Sequence, residues 1–183
     1  YTPGSGISEA SHTLYVQERD EAGNWSSAGS RTIVIDTTAP TAPSVSGTTP
    51  TNDTTPTWSW NSGGGGDNGT YRYKLDNSDL TSGATETTST SYTPGSGISE
   101  ASHTLYVQER DEAGNWSSAG SRTIVIDTTA PTVSGVEITD GAGKQNNLLN
   151  VGDNVSVTVT FSENSTVTDT PQLTLAVGDD NQT

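Results

Sequence analysis

Apolar and polar positions alternate with a period of two through much of the chain. "TPTWSWN" sets Trp58 and Trp60 on one face and Thr57 and Ser59 on the other. "TYRYKL" opposes Tyr71, Tyr73 and Leu75 to Arg72 and Lys74. "HTLYVQERD" turns Leu105 and Val107 inward, and "RTIVID" does the same with Ile124 and Ile126. Successive side chains of a strand point to opposite faces, so each stretch reads as a strand with one buried side. Between them lie "NSGGGGDNG", "DNSD", "TPGSG" and "DEAGN", rich in residues that accept turn conformations. The pattern predicts strands at residues 44–47, 55–60, 71–75, 103–110 and 122–127, with a further strand region within 84–92. It predicts no helix.

Roughly seven short strands in about 90 residues, with turns every 8–12, is the pattern of an immunoglobulin-like β-sandwich. A repeat sets the frame. Residues 1–41 recur as 92–132 without one substitution, exposed Ser-Ser-Ala-Gly-Ser included. A fold demands similar core residues, not an identical surface, so the identity points to recent duplication within a tandem array of ~91-residue modules. "DTTAPTAP" is the linker, its prolines removing donors and stiffening the connection. The expected organisation is all-β. Residues 1–36 form the C-terminal half of a module, 37–127 a complete module, and 128–183 the N-terminal part of a different one. In that last part Val155, Val157, Val159 and Phe161 share a face, as do Leu173, Leu175 and Val177. Both ends of the chain then fall inside domains, as in a window of a longer protein.

Composition narrows the function. Hydrophobic residues make up 28% and aromatic residues 6%. This is thin for a large enzyme core but adequate for small sandwiches. The net charge is −15, from 22 acidic against 7 basic residues, which disfavours nucleic acid and anionic membrane surfaces as partners. Cysteine is absent, so there is neither a disulfide framework nor thiol chemistry. No apolar run reaches the ~18 residues of a membrane span. Acidic excess suits a solvated extracellular surface, or one that binds divalent cations.

At "ERDEAGNWS", "VIDTTAPTAPSVSG" and "TTPTWSW" the chain resembles the bacterial immunoglobulin-like repeats of giant surface adhesins, of the biofilm-associated and repeats-in-toxin kinds. "NVGDNVSVTVTFSE" with "VTDTPQLTL" resembles a second repeat family of the same proteins. The resemblance implies a non-enzymatic extender at the bacterial cell surface, often rigidified by calcium between modules. Its partners would be neighbouring repeats of the same chain, with lateral self-association of the filament as a further contact.

Sandwich topology indicates which acidic residues meet. The loops after the second and sixth strands face the preceding module, whose last strand arrives at the same joint. This brings Asp36 towards Asp111, Glu112 and Asn115, with Asp67 beside them. Carboxylates, carbonyls and Asn oxygens are calcium's ligands, so this set is the candidate Ca2+ site. At the next joint Asp127 would meet Glu163. Asp20 and Asn24 copy Asp111 and Asn115 without a module before them. In the bland reading Asp111 and Asn115 only make a turn. A glycan- or surface-binding module using Trp25 or Trp116 is the alternative function. His12 and His103 are lone imidazoles at a turn. "GGGG" at 63–66 lacks the residues of a phosphate loop and reads as a mobile loop. Alternation points Lys74 away from the core. An enzyme would need a cleft that so small a module does not offer.

Overall fold

The computed structural model describes residues 2–66, 68–141, 155–166 and 168–169, omitting side chains at 138–141 and 155. The chain is all-β, built of antiparallel sheets, with no helix among the described residues. It divides into two compact units, Tyr1–Thr128 and Thr129–Thr183.

In the first unit β1 (Ala10–Val16) and β2 (Gly29–Ile35) form a two-stranded sheet. After the linker come β3 (Ser44–Ser46), β4 (Trp58–Asn61), β5 (Thr70–Leu75), β6 (Thr85–Thr87), β7 (Ser91–Tyr92), β8 (Ser102–Arg110) and β9 (Gly120–Val125). These make a three-stranded sheet in the order β3-β4-β7 and a four-stranded one in the order β6-β5-β8-β9. The expected strand region within 84–92 is thus two short strands in different sheets. Past β3 the chain leaves β4, and Thr51 bridges Ile126 in parallel. Just before β3 the chain passes close to Gly120, where a Cβ would sit 1.9 Å from the Pro43 carbonyl.

Trp58 and Trp60 from one sheet, and Tyr71, Leu105, Val107 and Ile124 from the other, enter one hydrophobic cluster with Ile126. Aromatic rings tie its middle together: Tyr73 lies 4.9 Å from Tyr92, and Trp60 stands edge-on to Tyr71 at 5.9 Å. The five residues that alternation marked as core, Trp58, Leu105, Val107, Ile124 and Ile126, are all buried. Burying each such side chain stabilises the fold by about 1.5–3 kcal/mol.

In the second unit β10 (Val133–Gly141) pairs with β11 (Val155–Phe161) in a register that shifts twice. On the face expected to hold Val155, Val157, Val159 and Phe161, Val157 and Val159 are half-buried and Phe161 is exposed, while Ser156, Thr158 and Thr160 on the other face are exposed; the Val155 side chain lies outside the described ones. The expected strand containing Leu173, Leu175 and Val177 lies outside the described residues.

Candidate functional site

The loop between β8 and β9 is organised by one carboxylate. Asp111 Oδ1 accepts the backbone N–H of Gly114 at 2.7 Å and of Asn115 at 2.8 Å, and Oδ2 accepts the Asn115 side-chain amide at 2.9 Å. Gly114 turns the chain at φ 100°, a conformation that costs glycine little. Burial pushes the Asp111 carboxyl up, but the bonds from Asn115, Gly114 and Ala113 outweigh it and hold the pKa below the usual aspartate value. Asp20 and Asn24 build the same turn, with matching bonds of 2.7 and 2.9 Å. The bland reading is therefore correct as far as it goes: the residues make a turn.

They also make a joint. The Asn115 amide donates to the main-chain carbonyl of Asp36 at 3.1 Å, just past the end of β2. An –NH2 group has two protons, and the oxygens of Asp36 and Asp111 take both. Further along the linker, Thr41 N–H donates to the Gly64 carbonyl at 3.0 Å, and Pro40 is buried beside Gly65. A Cβ on Gly63 would come within 2.3 Å of the Ala42 carbonyl. The glycine run is the surface against which the linker lies, where the sequence had suggested a mobile loop.

The linker's threonines have a partner that the sequence did not disclose. Thr37 and Thr38 both donate their hydroxyls to Glu9, and Thr128 donates to Glu100 in the second copy. The Thr37 and Thr38 hydroxyls hold the Glu9 carboxyl below its usual pKa. The clamp was legible only as a glutamate repeated at a fixed distance before "DTT".

The other anticipated ligands fall less neatly. Glu112 is exposed at the loop's tip, and Asp36 directs its carboxylate to the Thr38 N–H at 2.9 Å. Asp67 lies outside the described residues. Asp127 sits beyond the far end of β9, its N–H bonded to the Thr51 carbonyl. Glu163 is an exposed residue of the second unit. Among the described residues no three His, Asp or Glu side chains cluster as a ready metal cage. At the joint the Asp36 carbonyl and the Asp111 carboxylate oxygen both accept from the Asn115 amide. The Asn115 amide occupies the place between them.

Beneath the loop a buried carboxylate pins the glycine run. Glu109 is inaccessible to solvent and accepts the Ser62 hydroxyl at 2.5 Å and the Gly63 N–H at 2.9 Å. Gly66 packs directly on it, where a Cβ would lie 1.8 Å from Glu109 Oε1. Outside the sheet, the Arg72 guanidinium covers the Trp116 ring at 4.2 Å from its centroid, a cation–π contact. Trp116 thus lies under arginine on the outer side of the sheet.

No family model matches the chain, and no curated protein matches it significantly.

Proposed function

We propose that the chain is a stretch of non-enzymatic spacer, made of tandem immunoglobulin-like β-sandwiches, from a large adhesin outside a bacterial cell, and that calcium stiffens its joints. The observation that carries this reading is the Asn115–Asp36 bond. It ties the loop of a complete module to the end of the strand pair before it, and both pieces belong to the duplicated sequence. Contacts restricted to neighbours let an array grow by duplication without redesign. The loop and the linker of one copy serve opposite joints, so Asp111 works with Asp36 and not with Asp127.

Calcium would be held by Asp36, Asp111, Asn115 and Glu112 at this joint. It would neutralise carboxylates that otherwise repel across the linker. Extracellular modules bind calcium at about 10⁻⁴–10⁻³ M, so sites of this kind fill outside a cell and stay empty in cytosol. A glycan-binding module is the competing reading, but at Trp116 the face a sugar would stack on is covered by Arg72. Small-angle scattering from a protein with complete modules on both sides of the joint tests the proposal. The expected result is a longer maximum dimension with calcium than with chelator. Equal dimensions would remove the calcium role, and free bending in both conditions would remove the spacer role.

A further inference from the structure

Asn68 is the one asparagine of the chain that glycine follows, and its side chain braces the joint. Nδ2 donates to the Asp111 carbonyl, on the β8–β9 loop, at 2.8 Å. Oδ1 accepts the Thr70 N–H, at the start of β5, at 2.8 Å. Both of the loops that this amide joins also seat the linker. The β8–β9 loop does so through Asn115 on the Asp36 carbonyl, and the β4–β5 loop through Gly64 on the Thr41 N–H.

The dipeptide that makes this brace is chemically fragile. A carboxamide carbon is an electrophile, and the main-chain nitrogen of the next residue can close a five-membered ring on it. A side chain on that next residue hinders the closure, and glycine has none. Gly69 is exposed at φ 65°, and a Cβ there would meet nothing within 4 Å, so water has access to the peptide. Asn61 and Asn77 are followed by serine and lack this advantage.

We infer that Asn68–Gly69 is a self-modification site, unreactive while the joint is closed and converted to aspartate or isoaspartate once its loops part. The closed structure withholds both reactants. The Gly69 N–H is committed to the Gly66 carbonyl at 3.2 Å, and the Asn68 amide is fixed at both of its polar atoms. After opening, the Gly69 nitrogen gives its proton to water and attacks Asn68 Cγ. The N–Cγ bond forms, the Cγ–Nδ2 bond breaks, and Nδ2 takes a proton from water and leaves as ammonia. Water then opens the succinimide. Opening at Cγ gives aspartate, and opening at the main-chain carbonyl gives isoaspartate, whose backbone runs through Cγ. Only water is needed as co-reactant.

Either product keeps the joint from closing as before. Its carboxylate has no proton for the Asp111 carbonyl, so two acceptors face each other where the bond was. Isoaspartate also adds a methylene to the main chain just ahead of Thr70, which pairs with Arg110. The chemistry is irreversible, so each converted residue records a joint that has opened.

The test holds the full chain in warm, mildly alkaline buffer, folded or in denaturant. The peptide containing residue 68 is followed by mass for exchange of amide for acid, and isoaspartate is resolved by chromatography. Conversion should be roughly tenfold or more slower in the folded chain, because the bonds of the amide and of the Gly69 N–H must open first. Asp111→Ala, which unmakes the β8–β9 turn, should bring the folded rate towards the denatured one. Asn68→Asp, which installs one product directly, should speed hydrogen exchange at the Thr41 amide. No conversion in denaturant overturns the site. Equal rates in the folded and denatured chain, or a folded rate unmoved by Asp111→Ala, overturn its gating by the joint. Thr41 exchange unmoved by Asn68→Asp overturns the effect of the product.

Discussion

The side-chain amide of Asn115 bonds the carbonyl of Asp36, 79 positions earlier, at 3.1 Å, while its second proton stays on the Asp111 carboxylate at 2.9 Å. One residue thus belongs to a turn and to a joint at once. A turn alone would need only the Asp111 contacts, which Asn24 reproduces at Asp20.

That double duty separates two substitutions of the same residue type. Asn115→Ala removes both bonds and should loosen residues 36–41 relative to the β3–β9 sheets, by about 1 kcal/mol for the lost neutral bond to the Asp36 carbonyl. Asn24→Ala should disturb only its own turn. Hydrogen exchange at the Thr41 amide, which bonds Gly64, is the readout. Equal effects of both variants would mean that the joint contact carries nothing.

Identical sequence in unlike surroundings gives a second paired comparison. Leu105→Ala empties a site in the core and should cost about 2–5 kcal/mol in chemical unfolding. Leu14→Ala touches a half-exposed copy and should stay within about 0.5 kcal/mol. Similar costs at the two positions would show that β1–β2 is covered in solution.

The buried faces were legible because strand periodicity is local: Trp58 and Trp60, or Leu105 and Val107, announce their side within a few residues. What was missed lay in the same register. His103, Leu105, Val107, Glu109 and Asp111 are five alternate positions, and all five are buried. Of the polar three, His103 reads in the sequence as a lone imidazole at a turn and Asp111 as a calcium ligand or turn residue, and nothing singles out Glu109, since alternation does not name the partners that make their burial tolerable. Those partners are Asp76 for His103, Ser62 and Gly63 for Glu109, and Asn115 for Asp111. Their meeting depends on pairing across the sheet, which no single stretch of sequence displays. The Asp36 joint was legible for a different reason: strand direction alone sends that loop and that linker to one end of the module.

His103 makes the stability of the β3–β9 sheets depend on pH. Its Nδ1 lies 2.7 Å from Asp76 Oδ2 and its Nε2 lies 3.0 Å from the Ser99 carbonyl. The hydrogen bond to Asp76 raises the imidazole pKa above its ordinary value; burial opposes the rise, and the Ser99 carbonyl and the Asp76 charge support it. The folded state therefore holds the proton more tightly than the unfolded state. Its contribution is complete below the unfolded histidine pKa and is lost as pH rises through the folded value. Tm should fall across that window, and Asp76→Asn should flatten the fall. A profile unchanged by Asp76→Asn would assign the slope to other groups.

In the proposed joint calcium would take the same atoms as the Asn115 amide, and this yields the sharpest test of the proposal. The Asp111 carboxylate is already held ionised by its hydrogen bonds, so binding requires no proton to leave at neutral pH. A cation taken by Asp111 Oδ2 and the Asp36 carbonyl competes with the two bonds of the Asn115 amide protons. Titration with calcium should therefore move the Asn115 side-chain amide signal, saturating at about 10⁻⁴–10⁻³ M. The Asn24 amide should move less, since nothing equivalent to Asp36 adjoins it among the described residues. Asp111→Asn keeps a hydrogen-bonding side chain but removes the charge, and should abolish the response. Asp36→Ala keeps the main-chain carbonyl and should weaken it only in part. Should Asn115 and Asn24 respond alike, or neither respond at millimolar calcium, the joint is held by hydrogen bonds alone and the acidic residues around it serve the turn.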